Sequence, residues 1–263
     1  MPFTEIDGVR IHYQLEGPEG APVLVLSNSL GSNFQLWEPQ MQALGSRWRV
    51  LRYDTRGHGA STVAPGPYPL ELLARDVLRL ADAIGADRFR FCGISMGGLV
   101  GMWLGVNAAD RVEKVALCNT GARIGTRETW DARIAAVRSG GMAAIADAVL
   151  SRWFTPAFQT AHPEVVARAR RMLLETPPDG YAAACAAIRD ADLREEVGRI
   201  AAPTLVIAGS ADASTPPADG RYLAERIPSA RYLELNAAHL SNIEAAQPFN
   251  TALVRFFENG GGA

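Results

Sequence analysis

The sequence predicts an α/β protein with a mostly parallel central sheet of about eight strands, flanking helices and a helical insertion. Apolar strand segments alternate with amphipathic helical segments over the N-terminal half of the chain. This alternation is typical of parallel sheets that are covered on both faces. Strand signals vanish between about residues 121 and 202 and then return twice. The insertion is therefore predicted to be a cap over the carboxyl edge of the strands, where such sheets bind ligands.

The strands are recognised by their apolar character and by the turns around them. Asp7-Gly8 is a tight hairpin signal between strands at residues 3–6 and 9–14. Residues 23–26 are continuously apolar, as expected of a strand buried on both faces. The other predicted strands are residues 50–53, 89–92, 112–118, 204–208 and 231–235.

The helices are recognised by apolar residues at three- and four-residue steps, most clearly in residues 70–84 before Gly85. The core should contain four more, at residues 37–44, 95–107, 219–227 and 248–258. The insertion contains another four, at residues 129–138, 142–154, 163–175 and 181–189. We therefore expect a core domain of residues 1–121 and 203–263 and a cap subdomain of residues 122–202.

Composition narrows the classes of function. The chain has 263 residues, 48% of them apolar and 21% charged, which suits one globular domain with an insertion. Its net charge of −2 offers no long-range positive field for nucleic acid or an anionic membrane. The three scattered cysteines argue against a disulfide framework and a zinc site. No basic leader pattern and no membrane-spanning stretch is apparent, so a cytoplasmic location is expected.

The strongest motif is Gly93-Ile94-Ser95-Met96-Gly97, which lies between a predicted strand and a predicted helix. This is the context of a nucleophile elbow, a sharp turn that exposes the serine hydroxyl. Gly93 and Gly97 must be small because side chains there would collide with neighbouring backbone. A glycine-rich turn without chemistry is the alternative, and the strand-to-helix context favours Ser95 as a nucleophile.

A serine hydroxyl is a weak nucleophile without a base, and His239 is the predicted base. It follows the last predicted strand, in a loop that would bring it over Ser95. The other histidines fit less well: His12 on the first hairpin, His58 in a glycine-rich turn, and His162 at the expected surface of the insertion.

The base needs an orienting carboxylate, and Asp212 is the predicted one. It follows the strand at residues 204–208, which gives the chain order Ser, Asp, His. The rival position after Cys118 offers only Asn119, and Asp190 and Asp219 lie in helical contexts.

An oxyanion hole requires two backbone N–H groups. One is expected from Met96, directly after the nucleophile. The other is assigned to Leu30, in the loop that follows the strand at residues 23–26.

These residues, together with residues 53–61, resemble the α/β-hydrolase superfamily across essentially the whole chain. Three segments, at residues 26–31, 92–98 and 117–125, further resemble the 3-oxoadipate enol-lactonases. The resemblance implies the α/β-hydrolase fold and the hydrolysis of 3-oxoadipate enol-lactone to 3-oxoadipate, in the degradation of aromatic compounds. It implies an acyl-enzyme mechanism on the serine, histidine and aspartate, with no metal and no organic cofactor.

The implied partner is a small anionic lactone, so a cation should lie in the pocket to offset the desolvation of its carboxylate. Among the cap arginines we choose Arg133, because it shares a helix face with Thr129 and Trp130. Trp153 and Trp130 are candidate walls of the pocket, with packing inside the cap as the alternative role. A homo-oligomer is left open.

Other functions keep the same three catalytic residue types. Carboxylesterases, cofactor-free perhydrolases and meta-cleavage carbon–carbon hydrolases all use serine. Haloalkane dehalogenases and epoxide hydrolases use aspartate at the elbow, so Ser95 disfavours both. A small-ligand receptor with a hydrolase fold is the alternative outside enzymes.

Overall fold

The computed structural model describes residues 2–228 and 230–258, and these contain one eight-stranded sheet. Its strands are β1 (Phe3–Ile6), β2 (Val9–Glu16), β3 (Val23–Ser27), β4 (Arg49–Tyr53), β5 (Phe89–Ile94), β6 (Val112–Cys118), β7 (Thr204–Gly209) and β8 (Ala230–Leu235). The order across the sheet is β1-β2-β4-β3-β5-β6-β7-β8. Only the pairs β1–β2 and β2–β4 run antiparallel within the described residues. The predicted mostly parallel sheet is confirmed.

The helices fall into two groups. Those that flank the sheet are α1 (Glu38–Leu44), α2 (Leu70–Ala83), α3 (Met96–Asn107), α9 (Pro217–Arg226), α10 (Ser241–Glu244) and α11 (Ala246–Glu258). Those between β6 and β7 are α4 (Arg127–Gly140), α5 (Ala146–Trp153), α6 (Pro156–Ala161), α7 (Pro163–Leu174) and α8 (Pro178–Asp190). We call α4 to α8 the cap helices. Within the described residues, no helix is both long and apolar enough to cross a membrane.

Two details of the cap differ from the sequence prediction. The helix expected at residues 142–154 is a 3-10 turn, Met142–Ala144, followed by α5. Apolar residues continue from the 3-10 turn into α5, so the hydrophobic pattern does not show where one ends and the other begins. Helix α6 was not predicted, because none of its six residues is buried and it therefore has no apolar stripe. The glycine-rich sequence of residues 259–263 predicts a frayed tail, but these residues lie outside the described part of the chain.

The central strands are the most deeply buried part of the fold. All five residues of β3 and all six of β7 are buried, which explains their continuously apolar sequences. Helix α3 packs against β5 and β6 and buries ten of its twelve residues, so it too is apolar on every side. Because these elements are tightly packed, the loops that follow the central strands start at well-defined positions.

Parallel strands bring distant residues together at one edge of the sheet. The loops after β3, β5, β6, β7 and β8 all begin at the carboxyl end of their strands, and these five strands are consecutive neighbours. The predicted site residues of the core lie in these loops or directly after them. The fold therefore places them at a common edge, as open α/β sheets do for their ligands.

Candidate active site

Ser95 lies in a strained turn between β5 and α3. Its φ of 59° is in the left-handed region, which few residues other than glycine adopt. Two of the hydrogen bonds that fix its backbone involve residues at the end of β6 and just after it: its N–H donates to the Cys118 carbonyl (2.9 Å), and its carbonyl accepts from the Thr120 hydroxyl (2.9 Å). This geometry is that of the predicted nucleophile elbow.

The glycines of the elbow are needed for close approach of backbone. A Cβ atom at Gly93 would lie 2.0 Å from the Gly97 carbonyl oxygen, and one at Gly97 would lie 2.3 Å from the Ser27 carbonyl oxygen. Neither contact is sterically allowed. The predicted requirement for small residues at these two positions is confirmed.

His239 and Asp212 form a buried pair behind the elbow. The His239 Nδ1 and Asp212 Oδ2 atoms are 2.8 Å apart, and both side chains are almost inaccessible to solvent. A carboxylate at this nitrogen favours the tautomer that has its proton on Nδ1, which leaves Nε2 as the basic atom. The structure therefore unites the two residues that sequence reasoning paired across 27 positions.

Asp212 is held as a carboxylate by several donors. Its Oδ1 accepts from the N–H groups of Ser214 (2.8 Å) and Thr215 (3.0 Å), and its Oδ2 from the Thr215 hydroxyl (2.8 Å) and the Asn119 amide (3.1 Å). Burial acts to raise the pKa of Asp212, but the His239 charge and these hydrogen bonds outweigh it and lower the pKa to about 2. The group is ionised at any pH where a histidine can act as a base.

Asn119 is a site residue whose role sequence reasoning missed. It was considered only as a poor substitute for the acid, whereas its amide group donates to Asp212 and to the Ala238 carbonyl (3.2 Å). Its carbonyl oxygen accepts from the Ser241 hydroxyl. With a φ of 44° it adopts the left-handed region, which asparagine tolerates better than most residues. Its position directly after β6, at the carboxyl edge of the sheet, could have identified it from the sequence as a residue of the site.

Leu30 and Met96 present the two predicted N–H groups at the elbow. Met96 is the first residue of α3, where backbone N–H groups have no partner inside the helix. Leu30 is buried in the loop after β3 and lines the same cavity as Ser95. Across the described residues, neither N–H donates to a protein acceptor, which an oxyanion hole requires of its donors.

His58 supports the loop that carries Leu30. Its Nε2 accepts a hydrogen bond from the Gly31 N–H (3.1 Å), and its Nδ1 lies 3.3 Å from the Arg56 carbonyl oxygen. Burial lowers the pKa of His58 to about 4, so the ring is neutral and can accept at one nitrogen while it donates at the other. His58 is thus a support for the site, as its place in a glycine-rich turn suggested.

A cavity of about 470 Å³ lies between the sheet edge and the cap helices. Ser95, His239 and Leu30 line it from the core, and Arg133, Trp130 and Trp153 line it from the cap. All three residues that the sequence suggested for the cap therefore reach the cavity. A pocket of this volume suits a small organic molecule.

Ser95 and His239 face this cavity, and no hydrogen bond joins their side chains. The hydrogen bonds that the His239 ring makes within the described residues all involve Nδ1, so its Nε2 has no protein partner there. The Ser95 hydroxyl likewise has no bond to the ring. Nucleophile and base in unliganded sites are often farther apart than in the reacting complex.

Arg133 is fixed against the aromatic wall of the cavity. Its guanidinium lies 4.7 Å from the centre of the Trp130 ring, and the Tyr181 side chain is beside it. Trp130 is itself held by a hydrogen bond from its Nε1 to the Ile124 carbonyl (2.7 Å). Arg152, a cap arginine that was not chosen from the sequence, lies at the end of α5 and lines the same cavity.

His12 and His162 lie outside this site, and none of the three cysteines lines the cavity. His12 pairs with Asp54 (2.7 Å) beneath the first hairpin, and His162 is exposed between two cap helices. Cys92 and Cys118 are free, buried thiols on neighbouring strands. In residues 2–228 and 230–258, no three His, Cys, Asp or Glu side chains are placed to hold a metal ion.

Comparison with known proteins shows the family to which this fold belongs. Residues 22–246 match the family model of the alpha/beta hydrolase fold. The chain is 42% identical to 3-oxoadipate enol-lactonase 2 of Acinetobacter baylyi, over 93% of this chain and 92% of that protein. It is equally similar to 3-oxoadipate enol-lactonase 1 of the same organism, over 94% and 92%.

Two solved structures are also similar. The enol-lactonase from Burkholderia xenovorans LB400 superimposes with a TM-score of 0.97 at 49% sequence identity, over 98% of this chain and 100% of that one. A thermophilic esterase from Thermogutta terrifontis, solved with malate bound, superimposes with a TM-score of 0.90 at 29% identity, over 97% and 96%.

Proposed function

The chain belongs to the α/β-hydrolase fold family, and on that premise we propose that it opens the lactone ring of 3-oxoadipate enol-lactone to give 3-oxoadipate. Its similarity to 3-oxoadipate enol-lactonases over nearly its whole length supports this substrate. The reaction would belong to the degradation of aromatic compounds, in the cytoplasm.

The proposed reaction begins with attack of the Ser95 hydroxyl on the lactone carbonyl carbon. His239 accepts the hydroxyl proton at Nε2, and Asp212 stabilises the imidazolium that results. The negative oxygen of the tetrahedral intermediate binds the N–H groups of Leu30 and Met96. These groups are already oriented, so little reorganisation accompanies the change in charge.

Collapse of the intermediate breaks the ring C–O bond and leaves an acyl group on Ser95. The leaving oxygen belongs to an enol, which departs more readily than a simple alkoxide, and it receives the proton from His239. His239 then takes a proton from water, which attacks the acyl carbon. The C–O bond to Ser95 breaks, the Ser95 oxygen recovers its proton from His239, and the product leaves with a new carboxylate. One water molecule is consumed, and the proposed steps use only side chains and backbone N–H groups of the protein.

One observation carries the choice of an anionic substrate: Arg133 lines the same cavity as Ser95 and has no ion pair with a described residue. A buried carboxylate without a partner is costly, and a guanidinium fixed against an aromatic ring can bind one with good geometry. Trp130 and Trp153 would form apolar walls beside the lactone ring. Trp153 is almost fully buried, so only part of its surface serves the cavity.

A substrate panel tests the proposal. Purified enzyme would be compared on the enol-lactone, p-nitrophenyl acetate, a meta-cleavage dienoate and peracid formation. We expect the highest kcat/KM by a wide margin for the enol-lactone. Equal or faster turnover of another substrate would remove the assignment.

A carboxylesterase is the second candidate, since the Thermogutta esterase shares this fold at 29% identity. A carboxylesterase would have its highest kcat/KM on the neutral ester, and a carboxylate on the substrate would change kcat/KM little. A receptor of this fold would instead release no more than about one equivalent of product per chain. Sustained turnover therefore separates both enzymes from a binding protein.

A further inference from the structure

Two guanidinium groups face one cavity that has no acidic lining residue. Arg133 reaches it from α4 and Arg152 from α5, and none of the described side chains that line it is an aspartate or a glutamate. The nearby Asp212 carboxylate is already bound by His239, Asn119 and Thr215. The cavity therefore carries two positive charges that nothing described in the protein neutralises.

The other arginines of the cap helices are paired or exposed. Arg127, Arg170 and Arg189 form ion pairs with aspartates. The other five arginines of the cap helices have no ion pair with a described residue. Three of them are exposed: Arg138, Arg168 and Arg171. Arg133 and Arg152, in contrast, are half-buried. Solvent stabilises an exposed guanidinium, but it cannot do so fully for these two.

The positive charge of Arg133 also acts on Arg152. Burial, and after it the like charge of Arg133, lowers the pKa of Arg152. The backbone of Arg152 lies at the catalytic end of the cavity, because its carbonyl accepts a hydrogen bond from the His239 N–H (3.3 Å). An anion with two negative groups would offset both charges at once.

We propose that Arg133 and Arg152 form a binding site for dicarboxylates of about six carbons, with one guanidinium for each carboxylate. The proposal rests on the proposed function, in which hydrolysis turns a substrate with one carboxylate into a product with two. The second carboxylate forms when water adds to the acyl group on Ser95. The enzyme would therefore bind its product more tightly than its substrate and be inhibited by product-like dianions.

Binding of adipate and hexanoate tests this without turnover. Both have six carbons, but adipate carries two carboxylates and hexanoate one. Calorimetry on the Ser95→Ala protein should show adipate binding at least about tenfold more tightly, since a second charged hydrogen-bonded pair is formed. Arg152→Gln, in the same background, should reduce the affinity for adipate to about that for hexanoate. Arg138→Gln, on the exposed side of α4, is the matched control and should change neither.

The outcomes separate the two proposals. Equal affinity for adipate and hexanoate, no binding of adipate, or equal loss of adipate affinity in Arg138→Gln would each overturn the dicarboxylate site. Thermal unfolding of each variant shows whether a loss reflects misfolding, and an Arg152→Lys variant that restores part of the preference would confirm the need for charge. If adipate binds as expected but the enol-lactone is not hydrolysed, the site stands and the proposed substrate is wrong.

Discussion

The Glu244 carboxylate accepts a hydrogen bond from the Ala238 N–H at 3.0 Å, one residue before the proposed catalytic base. The same carboxylate accepts from the N–H of Thr155 (3.2 Å) and from its hydroxyl. Thr155 caps the N-terminus of α6, so Glu244 joins the loop that carries His239 to a cap helix. The base is therefore positioned by the cap as well as by the sheet.

We expect Glu244→Ala to lower kcat about tenfold while KM changes less, because a displaced base loses orientation more than it loses substrate binding. Glu244→Gln retains one acceptor oxygen and should recover part of the loss. Steady-state kinetics on the enol-lactone measures both. The control is Glu258→Ala, an exposed glutamate paired only with Arg47 in the described residues. A KM effect alone, or no recovery by glutamine, would contradict the positioning role.

Ser95→Ala removes the proposed nucleophile and should lower kcat by roughly 10³- to 10⁶-fold. The protein should remain folded, because the change deletes a hydroxyl that bonds to no described residue. Residual activity would be measured with a high enzyme concentration, and circular dichroism would check the fold. Activity within tenfold of the unaltered enzyme would exclude an acyl-enzyme on Ser95.

The rate should depend on pH through a single basic group. Since the pKa of Asp212 lies near 2, Asp212 is ionised throughout pH 5–8 and contributes no step there. We therefore expect kcat/KM to rise with pH as His239 loses its proton and becomes able to act as a base. Asp212→Asn should lower kcat by about 10⁴-fold through the wrong tautomer. A flat profile between pH 5 and 8 would argue against His239 as the base.

Gly93→Ala should destabilise the fold by about 3 kcal/mol or more, because its Cβ would overlap the Gly97 carbonyl oxygen. Denaturant unfolding measures the change in the free energy of unfolding. Gly198→Ala is the matched control, since the nearest atom to its Cβ would be the Arg226 carbonyl oxygen at an ordinary 3.5 Å. Equal stability of the two variants would mean that the elbow is not tightly packed.

Arg133→Ala should reduce kcat/KM for the anionic lactone about 10- to 100-fold, the value of one charged hydrogen bond. The loss on neutral p-nitrophenyl acetate should be much smaller. Arg138→Ala, an exposed arginine on the same helix, should affect neither substrate. Equal losses of kcat/KM on the two substrates would show that Arg133 does not recognise the substrate carboxylate.

Local sequence patterns were sufficient to predict much of the fold. The central strands were predictable because burial on both faces leaves continuous apolar runs, and β1 and β2 because of the hairpin turn between them. Most helices were predictable because burial on one face leaves a helical period. Helix α6 was not predicted because none of its residues is buried, so its sequence has no apolar stripe. The elbow was predictable because strand, glycines and helix are contiguous in the chain.

By itself, the sequence determined the sheet and its helices, the serine elbow, and the residue types and chain order of its partners. These properties are local, since each depends on a few neighbouring residues and their burial. Only the tertiary structure decided that Asn119 holds Asp212, that Glu244 ties the His239 loop to the cap, and that Arg152 joins Arg133 in one cavity. These contacts join residues far apart in the chain, and the direction of each side chain depends on how the cap packs over the sheet.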